Sequence, residues 1–102
     1  MNHSFLKITI LKKTYFRDLV EEYASTDYPS CEVFQEGQVF YTDSVEEMPE
    51  GFCDWAWSNI SREMASALSG DELPWVKPGH TFIACCTDGF RPVVFKIERM
   101  ED

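Results

Sequence analysis

The segment from Pro49 to Gly70, PEGFCDWAWSNISREMASALSG, constrains the fold of this chain more than any other stretch. Trp57, Ile60, Met64, Ala67 and Leu68 recur at the spacing of an α-helix and make one apolar stripe, with Arg62, Glu63 and Ser66 off it. Pro49 and Gly51 punctuate the approach, Asp54 or a neighbour can cap the first turn, and Gly70 is the natural left-handed stop. A helix with one apolar stripe must bury it, so the rest of the chain has to supply a complementary surface.

That surface is readable as strands. Leu6, Ile8 and Ile10 alternate with Lys7 and Thr9 between Phe5 and Leu11, the pattern of a half-buried strand that the pair Lys12 and Lys13 ends. TYFRDLVEEYA then predicts a short helix, with Phe16, Leu19, Val20 and Tyr23 on one face and Thr14 as its N-cap. Cys31 to Phe34 is at most a short extended piece, Glu36-Gly37 marks a turn, and Gln38 to Thr42 reads as a second strand. After the central helix, GDELPWVKPGH is a connector from which Trp75 is expected to fold back over apolar surface. Thr81–Cys86 and Pro92–Arg99 form a C-terminal β-hairpin around the turn signal Asp88-Gly89, with Val93, Phe95 and Ile97 facing the core. The order predicts an α+β fold in one domain, 1–102: a small antiparallel or mixed sheet with two helices packed on one face.

Charge excludes some partners. The chain of 102 residues has a formal net charge of −9 and carries no Lys or Arg between Asp18 and Ser61. Such a surface repels phosphate backbones and anionic headgroups, so neither nucleic acid nor a membrane is expected as a partner. No apolar run reaches the ~20 residues of a membrane span, and MNHSFLKITI lacks the layout of a signal peptide. The expectation is a cytoplasmic protein with reduced thiols.

The residues that could carry chemistry are few. Cys53, at the start of the central helix, is placed where a helix dipole lowers a thiol's pKa, although Asp54 and the acidic run oppose this. Cys85 and Cys86 are adjacent on a strand and should point to opposite faces. Cys31, Cys53, Cys85 and Cys86, with His80, include the ligand types of a zinc or iron site, but none shows C-x₂-C spacing. Arg91 follows the Asp88-Gly89 turn and, alone or with Arg99, could grip a carboxylate or phosphate; a surface salt bridge serves equally. Trp55, Trp57 and Trp75 could line an apolar pocket or simply pack. Hydrolytic triads and nucleotide-binding loops have no motif here.

The blocks EGQVF, PEGFCDWAWSNI, DELPW and ACCTDGFRPVVFKIER together resemble a family of small prokaryotic proteins of about this length. The resemblance runs from the first strand to Arg99 and implies a stand-alone cytosolic domain, with no established activity, substrate or cofactor attached to it. Two functions remain open. One is a non-catalytic module binding a small ligand or protein partner where the Trp55/Trp57 turn of the helix meets the hairpin and Arg91. The other is a cysteine-based metal or thiol redox site. Independently, the hairpin edge could pair with a second copy and make a homo-oligomer.

Overall fold

The structure, a computed structural model, describes residues 3–102. Four antiparallel strands form one sheet, β1 (Ser4–Lys13), β2 (Val39–Thr42), β3 (Thr81–Cys85) and β4 (Val93–Glu101), in the order β2-β1-β4-β3. Three helices, α1 (Arg17–Tyr23), α2 (Asp54–Asn59) and α3 (Ser61–Leu68), complete the α+β fold. The long strands β1 and β4 lie side by side at the centre, from Ser4↔Glu101 to Lys13↔Val93.

Alternation decides which face is buried. Leu6, Ile8 and Ile10 of β1 and Val93, Phe95 and Ile97 of β4 are fully buried, and each such side chain removed from water contributes on the order of 1.5–3 kcal/mol. Met64 and Ala67 of α3, with Ile60 just before it, cover them as the helical stripe requires. The opposite sheet face carries Lys7, Thr9, Lys96 and Glu98, all half-buried.

The central segment is two helices rather than one. Ile60, at φ −101° and ψ 7°, leaves helical geometry and joins α2 to α3. The ladder still passes through it, because Ile60 N–H bonds Ala56 O and Met64 N–H bonds Ile60 O. No side chain caps α2, so Asp54 lies in its first turn without the capping role expected of it. The C-terminus behaves as read: Gly70 adopts φ +86°, its N–H bonds Ala67 O, and Asp71 N–H bonds Ser66 O, closing a Schellman motif.

Three further expectations change. β1 continues through Lys13, because a bulge at Leu11 absorbs the shift in register between Ile10 and Lys12. Thr14 does not cap α1; its hydroxyl and its N–H both bond Pro92 O, at 2.6 and 3.2 Å, and Phe16 N–H bonds Phe90 O. The helix is thus fastened to the β3–β4 loop and buries only Val20, leaving Tyr23 exposed. The hairpin does not turn on Asp88-Gly89 alone, since pairing stops at Cys86 N–H to Val93 O and residues 86–92 form a wider loop.

Phe34, in irregular chain, sits at the middle of the aromatic cluster. Its ring meets Phe40, Phe52 and Phe95 edge-on at centroid separations of 5.9, 4.9 and 5.4 Å. The burial of this one loop side chain predicts that Phe34→Ala lowers unfolding free energy by about 3–5 kcal/mol. Trp75→Ala, at an exposed position, should shift it by less than about 0.5 kcal/mol. Equilibrium urea unfolding measures both.

Candidate functional site

A cavity of about 470 Å³ opens where the start of α2, the 28–34 loop and the β3–β4 loop meet. Its buried floor is Phe34, Ala56 and Val93, with Cys31, Cys53 and Cys86 beside them. Trp55 and Val33 stand largely exposed at its mouth. Tyr28, Thr87, Asp88, Phe90 and Arg91 form a polar and aromatic collar.

Each wall has a reason to be where it is. The pair Phe34 and Val93 belongs to the core, so the floor is built by the same burial that stabilises the fold. Asn59 Oδ1, at the end of α2, accepts the Thr87 N–H at 2.9 Å and the Thr87 hydroxyl at 3.2 Å, which joins the helix to the loop. On the other side Arg91 acts as a clasp. Its Nη1 donates to Pro29 O at 2.9 Å and to Ser30 O at 3.3 Å, its Nε to Asp88 Oδ2 at 3.0 Å, and its guanidinium carbon lies 4.2 Å from the centre of the Tyr28 ring. Tyr28 in turn donates its hydroxyl to Asp88 Oδ2 at 2.9 Å and accepts, at its carbonyl, the Tyr15 hydroxyl. Its ring also meets Phe90 edge-on at 5.3 Å.

These bonds shift the ionisation of the collar. Partial burial alone would raise the Asp88 carboxyl. The Phe90 N–H, the Tyr28 hydroxyl and the Arg91 guanidinium outweigh it, and Asp88 titrates below the ordinary carboxylate range. Tyr28 moves up, chiefly because its hydroxyl is committed to the Asp88 carboxylate, then through burial. Arg91 is held charged by Asp88 despite its own desolvation. The collar is therefore one neutral ion pair with a neutral phenol upon it.

The structure separates the expected tryptophan group. Trp55 lines the cavity together with Arg91, whereas Trp57 and Trp75 do not. Trp57 packs edge-on against Phe52 at 5.3 Å and its indole N–H donates to Val45 O at 2.9 Å, so it locks the loop before α2 to the core. Trp75 is 77% exposed and covers nothing. Val76 N–H bonds Leu73 O, and in this turn Leu73 packs on the core while Trp75 faces away. Nor do the two arginines cooperate: Arg99 pairs with Glu101 at 2.7 Å and donates to Ser4 Oγ near the other end of β4.

The four cysteines are all free and divide three to one. Cys31, Cys53 and Cys86 border the cavity; Cys85, on the other side of its strand, is exposed and outside it. Among the described residues no three of His, Cys, Asp or Glu come together in a way that could hold a metal ion. Cys86 Sγ accepts the Val93 N–H at 3.3 Å, which gives that sulfur a place in the hairpin. His80, at φ 55°, lies 3.6 Å from Glu72 and borders a separate hollow of the connector. Tyr28, Thr87 and Asn59 were not singled out in the sequence. Asp88-Gly89 was the one local signal near them, and it marked a loop without indicating what the loop would bond.

The collar carries a pH signature. Because the folded state depresses the Asp88 pKa, its stabilisation is present above the unfolded value near pH 4 and is lost as pH falls through the folded one. Because it raises the Tyr28 pKa, that stabilisation is present below the unfolded value near pH 10 and is lost as pH rises through the folded one. Asp88→Asn should cost about 1.5–3 kcal/mol in urea unfolding between about pH 5 and pH 9, and the difference from wild type should shrink towards pH 3. A difference that stays constant down to that pH would remove Asp88 from the role.

Comparison of the chain with protein-family models, with curated proteins and with solved structures finds no match, so the functional reading rests on the geometry of this cavity.

Proposed function

We propose that this protein is a non-catalytic binding module that takes a small, largely apolar, uncharged organic ligand in the cavity between α2 and the β3–β4 loop. The observation that carries the reading is the contrast between floor and collar. The floor is carbon and sulfur, while in the collar Asp88 already accepts from Tyr28 and Arg91, and Thr87 is committed to Asn59. A neutral collar rewards no charged ligand, and a concave apolar site of this volume falls in the range used for small molecules. A cytoplasmic, reducing setting belongs to the same proposal, in keeping with four free thiols. So does the resemblance to a small prokaryotic family, which supplies no ligand.

Trp55 is the residue to test, because it reaches the mouth and is 69% exposed, so its removal leaves the core intact. Titration with an environment-sensitive apolar dye, followed by competition with a library of neutral aromatic and aliphatic fragments, should give saturable binding. Trp55→Ala should weaken it about tenfold, the loss of one stacking or burial contact worth about 1.4 kcal/mol. Trp75→Ala, equally exposed but elsewhere, should leave it unchanged. Equal effects of the two substitutions would dissociate binding from the cavity.

A second reading, thiol redox chemistry inside the same cavity, draws on the three sulfurs that border it. It predicts that an apolar aromatic disulfide reagent modifies Cys31 or Cys53 faster than the exposed Cys85. Mass mapping after brief exposure reads the order, and faster reaction at Cys85 leaves the binding reading alone.

A further inference from the structure

Three of the chain's nine Lys and Arg residues share the outward face of the sheet. Directly opposed residues of an antiparallel pair lie on one face, so the register places Lys7 between Tyr41 and Glu98, and Lys96 between Thr9 and Ile83. Lys12, beyond the bulge, stands opposite Val94 on the same side. Of the chain's 18 Asp and Glu residues, Glu98 alone joins them at these outward positions, and it already lies 3.4 Å from Lys96. Lys7 and Lys12 pair with no carboxylate among the described residues.

Apolar side chains border this cationic middle on both sides. Val39 and Tyr41 stand exposed on β2, and Ile83 on β3 at the opposite edge of the sheet. The outer strands are about 14 Å apart, three interstrand steps of about 4.8 Å each. Cations flanked by apolar groups, on a chain of net charge −9, select a partner with carboxylates in the middle and apolar residues at either end. The backbone groups of the inner strands are spent within the plane of the sheet, so an extended segment lying on the face gains no ladder from it. A helix satisfies its own backbone, offers side chains alone and crosses the face in roughly ten residues. Nucleic acid is disfavoured, because its binding is driven by neutralised phosphates and three lysines with a glutamate among them neutralise few.

We propose that the outward sheet face docks an acidic amphipathic helix of a partner protein. Its carboxylates meet Lys7, Lys12 and Lys96, and its apolar residues meet Val39 and Tyr41 at one border and Ile83 at the other. None of these residues borders the cavity beside α2, so this surface is a second site and stands or falls apart from ligand binding there.

Fluorescence anisotropy with a labelled helical peptide tests the docking. The probe carries two leucines eleven positions apart, about 16 Å along a helix, with two glutamates between them on the same face, and the control peptide has glutamines in their place. Wild type should bind the probe saturably in about 20 mM salt, bind the control at least about tenfold more weakly, and release the probe as salt rises to about 300 mM. Lys7→Gln combined with Lys12→Gln should weaken probe binding at least about tenfold with unchanged circular dichroism, whereas Lys77→Gln, in the connector, should leave it unaltered. Ile83→Ser reads the apolar border separately and should also weaken the probe, which keeps a test in hand if the double lysine variant misfolds. The proposal is overturned if wild type fails to bind the probe, if probe and control bind equally, or if Lys77→Gln weakens binding as much as the lysine pair does. Tighter binding of a single-stranded oligothymidylate would give the face to nucleic acid instead. Self-association without peptide, abolished by the lysine pair in sedimentation velocity, would give it to a second copy, and either result overturns the proposal too.

Discussion

The antiparallel ladder between β1 and β4 is the constraint on which everything else depends. It runs almost the full length of both strands and joins residues near the two ends of the described chain, so its contacts are strongly non-local in sequence. Its inner face is a block of aliphatic and aromatic side chains that needs a lid. The lid is assembled from α3 and from two phenylalanines outside regular structure, Phe34 and Phe52. Because these aromatic side chains arrive from loops, the loops are anchored in the core beside the helices.

That architecture explains why the hollow lies where it does. The helical lid is shorter than the ladder it covers, and Ile60 divides it into pieces of six and eight residues. The larger piece sits on the sheet. The smaller one is tied to the β3–β4 loop through Asn59 and Thr87, and the space beside it is walled by the 28–34 segment. Arg91 fastens that segment by the backbone oxygens of Pro29 and Ser30 and by lying over the Tyr28 ring. Such a clasp holds a loop by main-chain geometry, and it does not depend on the side chains of Pro29 or Ser30.

Much of this was legible in the residues, for reasons that differ by element. Period-two and helical spacing report burial directly, so Leu6, Ile8, Ile10, Ile60, Met64, Val93, Phe95 and Ile97 declared their positions. Gly70 declared the end of the helix, since only a left-handed residue closes it. What periodicity cannot report is a single aromatic residue in irregular chain, such as Phe34. Nor does it report long-range polar bonds: Tyr28 and Asp88 are sixty positions apart and meet through tertiary placement alone. The tryptophans misled for a related reason. Indole suits core, cavity and surface alike, and Trp57, Trp55 and Trp75 occupy one of each.

The self-cancelling charge of the collar has a consequence for how this molecule behaves in solution. Its surface is strongly anionic, yet the hollow between α2 and the β3–β4 loop is faced by an ion pair whose members answer each other at 3.0 Å. The long-range field that salt would screen therefore falls on the acidic exterior, and little of it reaches a neutral guest. On the binding reading proposed above, uptake by that hollow would be insensitive to ionic strength.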